Sequence, residues 1–260
     1  MADVLLRPRK ATELVDAAFQ VYRRAPVQFM VAVAAVYVPW LVIRLVLDVN
    51  IEPPTTGAIM SVDVNQLLVI AAVGIAIFAL AGGVTTVLAS NVYLEQPVDV
   101  AEAFRQVLRR IIPLVVVSLV VVFLVAVGAV LFLLPALYVI ARFYAVRQAV
   151  MLEGAGVGRA MARASQLSKG SKWHILATLF FIAVLTIAVD VGVSMFLARL
   201  PSRVLINLVS TALAVVIGPL FGITETVLYY DLRIRKEGFD VEYLAGTSAA
   251  VPPQPSDVTA

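Results

Sequence analysis

The chain is patterned as long apolar runs divided by short polar ones. Six runs come near the bilayer-crossing length of about 20 mostly apolar residues: 27–48, 66–90, 111–133, 135–152, 172–198 and 204–230. They are continuous rather than alternating over ten residues, so they predict a helical bundle and not a transmembrane barrel. The fourth run is the shortest and carries Arg142 and Arg147, with Pro135 in its first turn, where proline fits a helix. The predicted fold class is all-α: a polytopic membrane protein with six transmembrane helices.

A helix-period stretch precedes each pair of runs. Leu14, Val15, Ala18, Phe19 and Tyr22 share one face of the first, opposite Glu13, Asp16, Gln20 and Arg23. In the second, Val100, Ala103, Phe104, Val107 and Leu108 oppose Glu102, Arg105, Gln106 and Arg109, and Asp99 with Glu102 resembles a capping box. In the third, Val157, Ala160, Met161, Ala164 and Leu167 oppose Arg159, Arg163, Gln166 and Lys169. Each contains a glutamine, an apolar residue, a variable position and a base (Gln20 to Arg23, Gln106 to Arg109, Gln166 to Lys169), and each is followed by a breaker: Pro26, Pro113 or Gly170. The expected unit is an amphipathic interfacial helix, a break and a hairpin of two spans, repeated three times.

Composition agrees with the pattern. Hydrophobic residues are 62% and charged residues 14%, against about 45–50% and about 25% in soluble domains. Cysteine is absent, which excludes disulfides, thiolate metal sites and cysteine nucleophiles, and the one histidine, His174, excludes a multi-histidine site. No cofactor is expected. The net charge of +3 does not point to nucleic acid, because the bases flank apolar spans; it points to topology and anionic lipid.

Most of the twenty Lys and Arg fall on one side of the six-span arrangement: the N-terminal segment, the connections after the second and fourth spans, and the C-terminal end. The positive-inside rule then places both termini in the cytoplasm, in a multi-pass protein of the cell membrane. No secretory signal or lipidation motif is evident. Residues 1–244 are read as one membrane domain, with 49–65 as an external loop. The Pro/Ser/Thr composition of 245–260 predicts a disordered tail.

Three segments carry a resemblance: LRPRKATELVDAAFQVYRR at 6–24, RQAVMLEGAGVGRAMARASQLSKGSKW at 147–173, and YYDLRIRKEGFDVEYL at 229–244. Together they resemble the six-span membrane domain associated with glycerophosphoryl diester phosphodiesterases and its stand-alone relatives. In the central motif a glutamate, here Glu153, precedes an alanine- and serine-containing helix and a Lys-Gly turn before a tryptophan. The resemblance implies a six-helix membrane domain. It does not imply phosphodiesterase chemistry, which in fused relatives belongs to a separate soluble barrel.

Candidate chemistry lies mainly in ions within the spans, which are costly in hydrocarbon and need partners. Counting rise along the spans brings Arg44 and Asp190 to similar depth, with Arg142 competing for Asp190, and gives Arg147 and Glu225 as a second pair. Expected contacts to anionic lipid are Arg23, Arg24, Arg105, Arg109, Arg110, Arg159, Arg163 and Lys169. EGAGVGR at 153–159 lacks the spacing of a phosphate loop and reads as a turn. Trp173 and His174 read as interfacial. A small-residue stripe (Ala72, Ala76, Ala79, Gly83, Thr86, Ser90) and Gly218-Pro219-Leu220-Phe221-Gly222 predict close helix packing, with a kink at Pro219. The expected function is a non-catalytic membrane module, a scaffold, regulator or accessory of an envelope or lipid process, with an unidentified protein partner. The alternative is a transporter or lipid-handling protein using the Arg142/Asp190 region.

Overall fold

The computed structural model describes residues 8–46, 64–197 and 202–239. Among these it has ten helices and no strand: α1 (Ala11–Arg24), α2 (Pro26–Val46), α3 (Val64–Tyr93), α4 (Val100–Arg109), α5 (Ile111–Leu131), α6 (Leu133–Phe143), α7 (Val146–Leu152), α8 (Val157–Ser168), α9 (Lys172–Leu197) and α10 (Arg203–Glu237). Five helical segments are long and apolar enough to cross a membrane: Ala72–Tyr93, Ile111–Leu131, Leu133–Leu152, Lys172–Leu197 and Val204–Glu237. A sixth is reached if Ala11–Arg24 and Pro26–Val42, bent by 88°, count as one span. The chain is an all-α polytopic membrane protein. The expected tail from 245 and most of the expected external loop lie outside the described residues.

The three amphipathic helices form where expected, as α1, α4 and α8. Their breakers act as local chemistry requires. Pro26 opens α2, and Pro113 sits in the first turn of α5, where a missing N–H costs nothing. Gly170 turns the chain from α8 to α9 at φ +78, a conformation that a side chain would strain. Asp99 caps α4 by accepting from the N–H groups of Ala101 and Glu102, at 2.8 and 3.2 Å. Glu102 does not complete the box; it pairs with Arg105.

The apolar faces of these helices are already covered. Leu14, Ala17, Ala18 and Val21 of α1, Ala103 and Val107 of α4, and Ala160, Ala164 and Leu167 of α8 are buried in the same core as the long helices. The face that sequence alone assigns to lipid is therefore spent largely on packing, and the three helices form a cap over one end of the bundle.

Helix α3 is the hub: α2, α4, α5, α7 and α10 all pack on it. Its small-residue stripe divides. Ala79, Gly83, Thr86 and Ser90 are buried, whereas Ala72 is exposed. At Gly83 an added Cβ would lie 2.9 Å from Leu114 Cδ2, so this half of the stripe lets α5 approach. Gly222 likewise faces Thr85, but nothing lies near Gly218. Helix α10 continues through Pro219 as one element.

The fourth run is not one straight helix. Tyr144 and Ala145 form a turn between α6 and α7, with Ala145 at φ −86 and ψ 7, which interrupts the i→i−4 ladder. Val146, Gln148, Ala149, Val150 and Met151 beyond it are all buried. Away from the cap the bundle opens: Val130, Leu131, Met195, Phe196 and Val204 are all more than half exposed.

Candidate functional site

The cap gathers most of the polar chemistry, and α10 supplies its centre. Asp231, on α10, is buried and accepts three hydrogen bonds. The Arg9 backbone N–H donates at 2.7 Å, Arg235 Nε at 2.7 Å, and His174 Nε2 lies 3.1 Å away. Arg235 also donates to the Arg9 carbonyl. Spacing i,i+4 on α10 holds Asp231 and Arg235 on one face. His174, expected to be only interfacial, is thus a tie between α9 and α10.

One turn further lies a second cluster. Arg163 Nε donates to both oxygens of Glu153, at 2.8 and 2.9 Å, and its terminal nitrogens reach Glu237, one of them at 2.8 Å. Tyr229 donates its hydroxyl to Glu153, and Arg233 Nε donates to Glu237 at 3.1 Å. The Glu237 carboxylate, with Glu153 behind it, raises the Arg163 pKa further above its already basic value. A guanidinium fork between two carboxylates fixes geometry as well as charge, so the α7–α8 turn is tied to the end of α10.

These ties revise the expected lipid contacts. Arg163 is consumed inside the protein. So is Arg110, whose Nη1 donates to the carbonyls of Val150 and Met151 at 2.7 and 3.0 Å, capping α7 where helix carbonyls lack partners. Arg105 pairs with Glu102, and Arg24 with Glu95 at 3.7 Å. Arg23, Arg109, Arg159 and Lys169 are exposed and make no ion pair with a described residue. The EGAGVGR stretch is the turn leading into α8, with Gly156 at its N-cap.

Within the bundle, Arg147 and Glu225 meet as the depth count requires, with Nη1 2.9 Å from Oε2 and both side chains nearly buried. The Arg147 guanidinium also lies over the Phe78 ring, 4.5 Å from its centroid. Cavities of about 140 and 250 Å³ flank the pair, with Phe78, Arg147 and Phe221 lining both.

Arg142 and Asp190 do not meet. Arg142 lies beside Lys172 at the start of α9, whereas Asp190 is about 27 Å further along that helix by its rise. The depth count placed Arg142 near the level of Asp190, whereas it lies level with the start of α9. Asp190 instead lines an open groove with Thr186 and Ser210. The Arg44 side chain lies outside the described residues.

Arg142 belongs to a cavity of about 680 Å³ between α6, α8 and the start of α9. Its wall includes Tyr138, Phe143, Met161, Gln166, Lys169 and Lys172. Arg142 Nη1 reaches the Tyr138 hydroxyl at 3.3 Å, and Lys172 Nζ sits 3.9 Å from the centre of that ring. Among the described residues no group of three His, Asp or Glu could hold a metal ion.

Sequence reasoning missed Arg9, Asp231, Arg235 and Glu237 as a centre. The one local signal was the i,i+4 spacing in DLRIRKE, at Asp231–Arg235 and Arg233–Glu237. Compared with protein-family models, curated proteins and solved structures, the chain matches none.

Proposed function

We propose that the chain is a non-catalytic membrane module, a scaffold or accessory in a lipid-related envelope process, whose rigid cap lies at the cytoplasmic face. The carrying observation is how its polar groups are used. Glu153, Arg163, Asp231, Arg235 and Glu237 are engaged in tying the cap together. The halves of α5, α9 and α10 away from the cap leave apolar surface open to lipid or to partner helices. The three segments that resemble the phosphodiesterase-associated membrane domain also converge here: Arg9, Glu153, Arg163 and Asp231 come from all three. This supports reading the chain as a stand-alone relative of that domain. A transporter built on Arg142 with Asp190 has less support, since the two lie apart.

The topology part of this reading is checked by reporter fusions. Fusions after residues 57 and 200 are expected outside, and those after 96, 156 and 245 inside; an outside signal at 245 would overturn the arrangement. For function, photo-crosslinkers at Val130 and Phe196, both exposed far from the cap, are expected to trap discrete protein adducts in native membranes. The purified chain in liposomes of the native lipid extract is expected to leave lipid composition unchanged. A lipid product that appears only with the chain would defeat the non-catalytic reading.

A further inference from the structure

We infer that the cavity between α6, α8 and the start of α9 holds the phosphate of an anionic phospholipid. This deepens the reading of the chain as a lipid-associated membrane module and rests on it.

Charge is the first ground. Arg142, Lys169 and Lys172 line the cavity, and no Asp or Glu does. Clustered like charges repel unless an anion lies among them. The second ground is that none of the three is paired with a carboxylate of a described residue. The carbonyls at the end of α8 would be natural partners for these bases, but those of Gln166 and Lys169 accept from Lys236, which comes from α10. Arg142 Nε is buried with no hydrogen-bond partner. The group that Arg142 and Lys172 share is Tyr138, whose hydroxyl accepts from Arg142 and whose ring lies under Lys172; these contacts supply no carboxylate. Arg163, also on α8, differs: it is neutralised by two carboxylates.

Shape and level select the ligand. A volume of about 680 Å³ far exceeds what a phosphate ion fills, and Phe143, Met161 and Ala162 give the cavity an apolar wall. Trp173, next to Lys172, is 84% exposed, as expected of an anchor at the membrane–water interface. From that level α6 and α9 carry exposed Leu134, Phe180 and Val184 away from the bases. An amphiphile uses both the cations and this apolar surface, whereas a free phosphate uses the cations alone. Lys172 also opens α9, so the positive end of that helix dipole adds to the attraction.

The test uses the full chain in mild detergent, offered phosphatidylglycerol and phosphatidylcholine in equal amounts and read by native mass spectrometry. One retained phosphatidylglycerol per chain is expected. Arg142→Gln and Lys172→Gln should each lower its retention about tenfold, the loss of a charge-assisted hydrogen bond. Ala162→Trp, which narrows the cavity from its α8 wall without changing charge, should also lower retention and stands in if a charge variant fails to fold. Lys10→Gln, at an exposed base outside the cavity, should retain lipid as the parent does. Equal retention of both lipids, or equal loss in the Lys10 variant, overturns the site. Full displacement by millimolar inorganic phosphate would overturn the lipid assignment in favour of a soluble anion. Lipid turnover in the liposome experiment would defeat the non-catalytic reading while leaving one bound phosphatidylglycerol in place, so the two failures are separable.

Discussion

Asp231→Ala is expected to destabilise the protein by about 3 kcal/mol and to loosen its N-terminal segment first. The carboxylate is buried and holds an N–H of Arg9, the Arg235 guanidinium and the His174 ring. Removing one partner of a buried ion pair costs about 3–5 kcal/mol, because the other charge is stranded. The lower end applies here: Arg235 and His174 keep side-chain exposures of 36% and 23%, so water takes up part of the loss. The Arg9 N–H has no such recourse, as Arg9 is buried, and an unsatisfied buried donor costs about 1–3 kcal/mol by itself. Two measurements check this: thermal unfolding in detergent, and limited trypsin cleavage at Arg9 and Lys10, which should become the earliest cut. Asp231→Asn keeps the shape and an acceptor, so it should fall between the parent and the alanine variant. A variant that melts like the parent and keeps its N-terminus protected would show that Asp231 is not the tie.

Which parts of this arrangement the sequence reveals follows from distance along the chain. The long helices are legible because hydrocarbon demands about 20 apolar residues per crossing. The amphipathic helices are legible because their period lies within a dozen residues. The break at Tyr144–Ala145 is not, because apolar residues flank it on both sides and a helical turn changes no composition. Arg142 was misplaced for another reason: depth counted along one run does not say which residues of a neighbouring run lie beside it. The cap's centre is a different case. Arg9 and Asp231 are separated by 222 positions, and no pattern in either segment names the other. The amphipathic faces were read correctly as apolar, but sequence cannot say whether lipid or protein covers them. Arg147 with Glu225 was found because an ion in a span has few places to turn, and both lie a similar distance from the cap end.

That pair yields the largest expected coupling. Glu225→Gln should cost about 3–5 kcal/mol, since it leaves the Arg147 charge in a low-dielectric site with its side chain 11% exposed. Arg147→Gln should cost a comparable amount by stranding the carboxylate. The double variant, carrying two neutral amides, removes both charges at once and is expected to be more stable than either single variant. Gly82 provides an independent handle. A Cβ placed there would overlap the Arg147 guanidinium, which is also held from the other directions by Glu225 and the Phe78 ring. Gly82→Ala should therefore destabilise the parent by about 1–3 kcal/mol, the range for overpacking, by pushing the cation off its partner. In the Arg147→Gln background a shorter, uncharged side chain can yield, and the same alanine should cost little, because neighbouring sites that share a contact are not additive. Thermal unfolding of the six proteins in one detergent decides the matter: the parent, the three single variants and the two doubles. Strict additivity of Gly82→Ala with Arg147→Gln would show that the glycine serves another neighbour, and a double amide less stable than both singles would mean that the ion pair itself holds the bundle together.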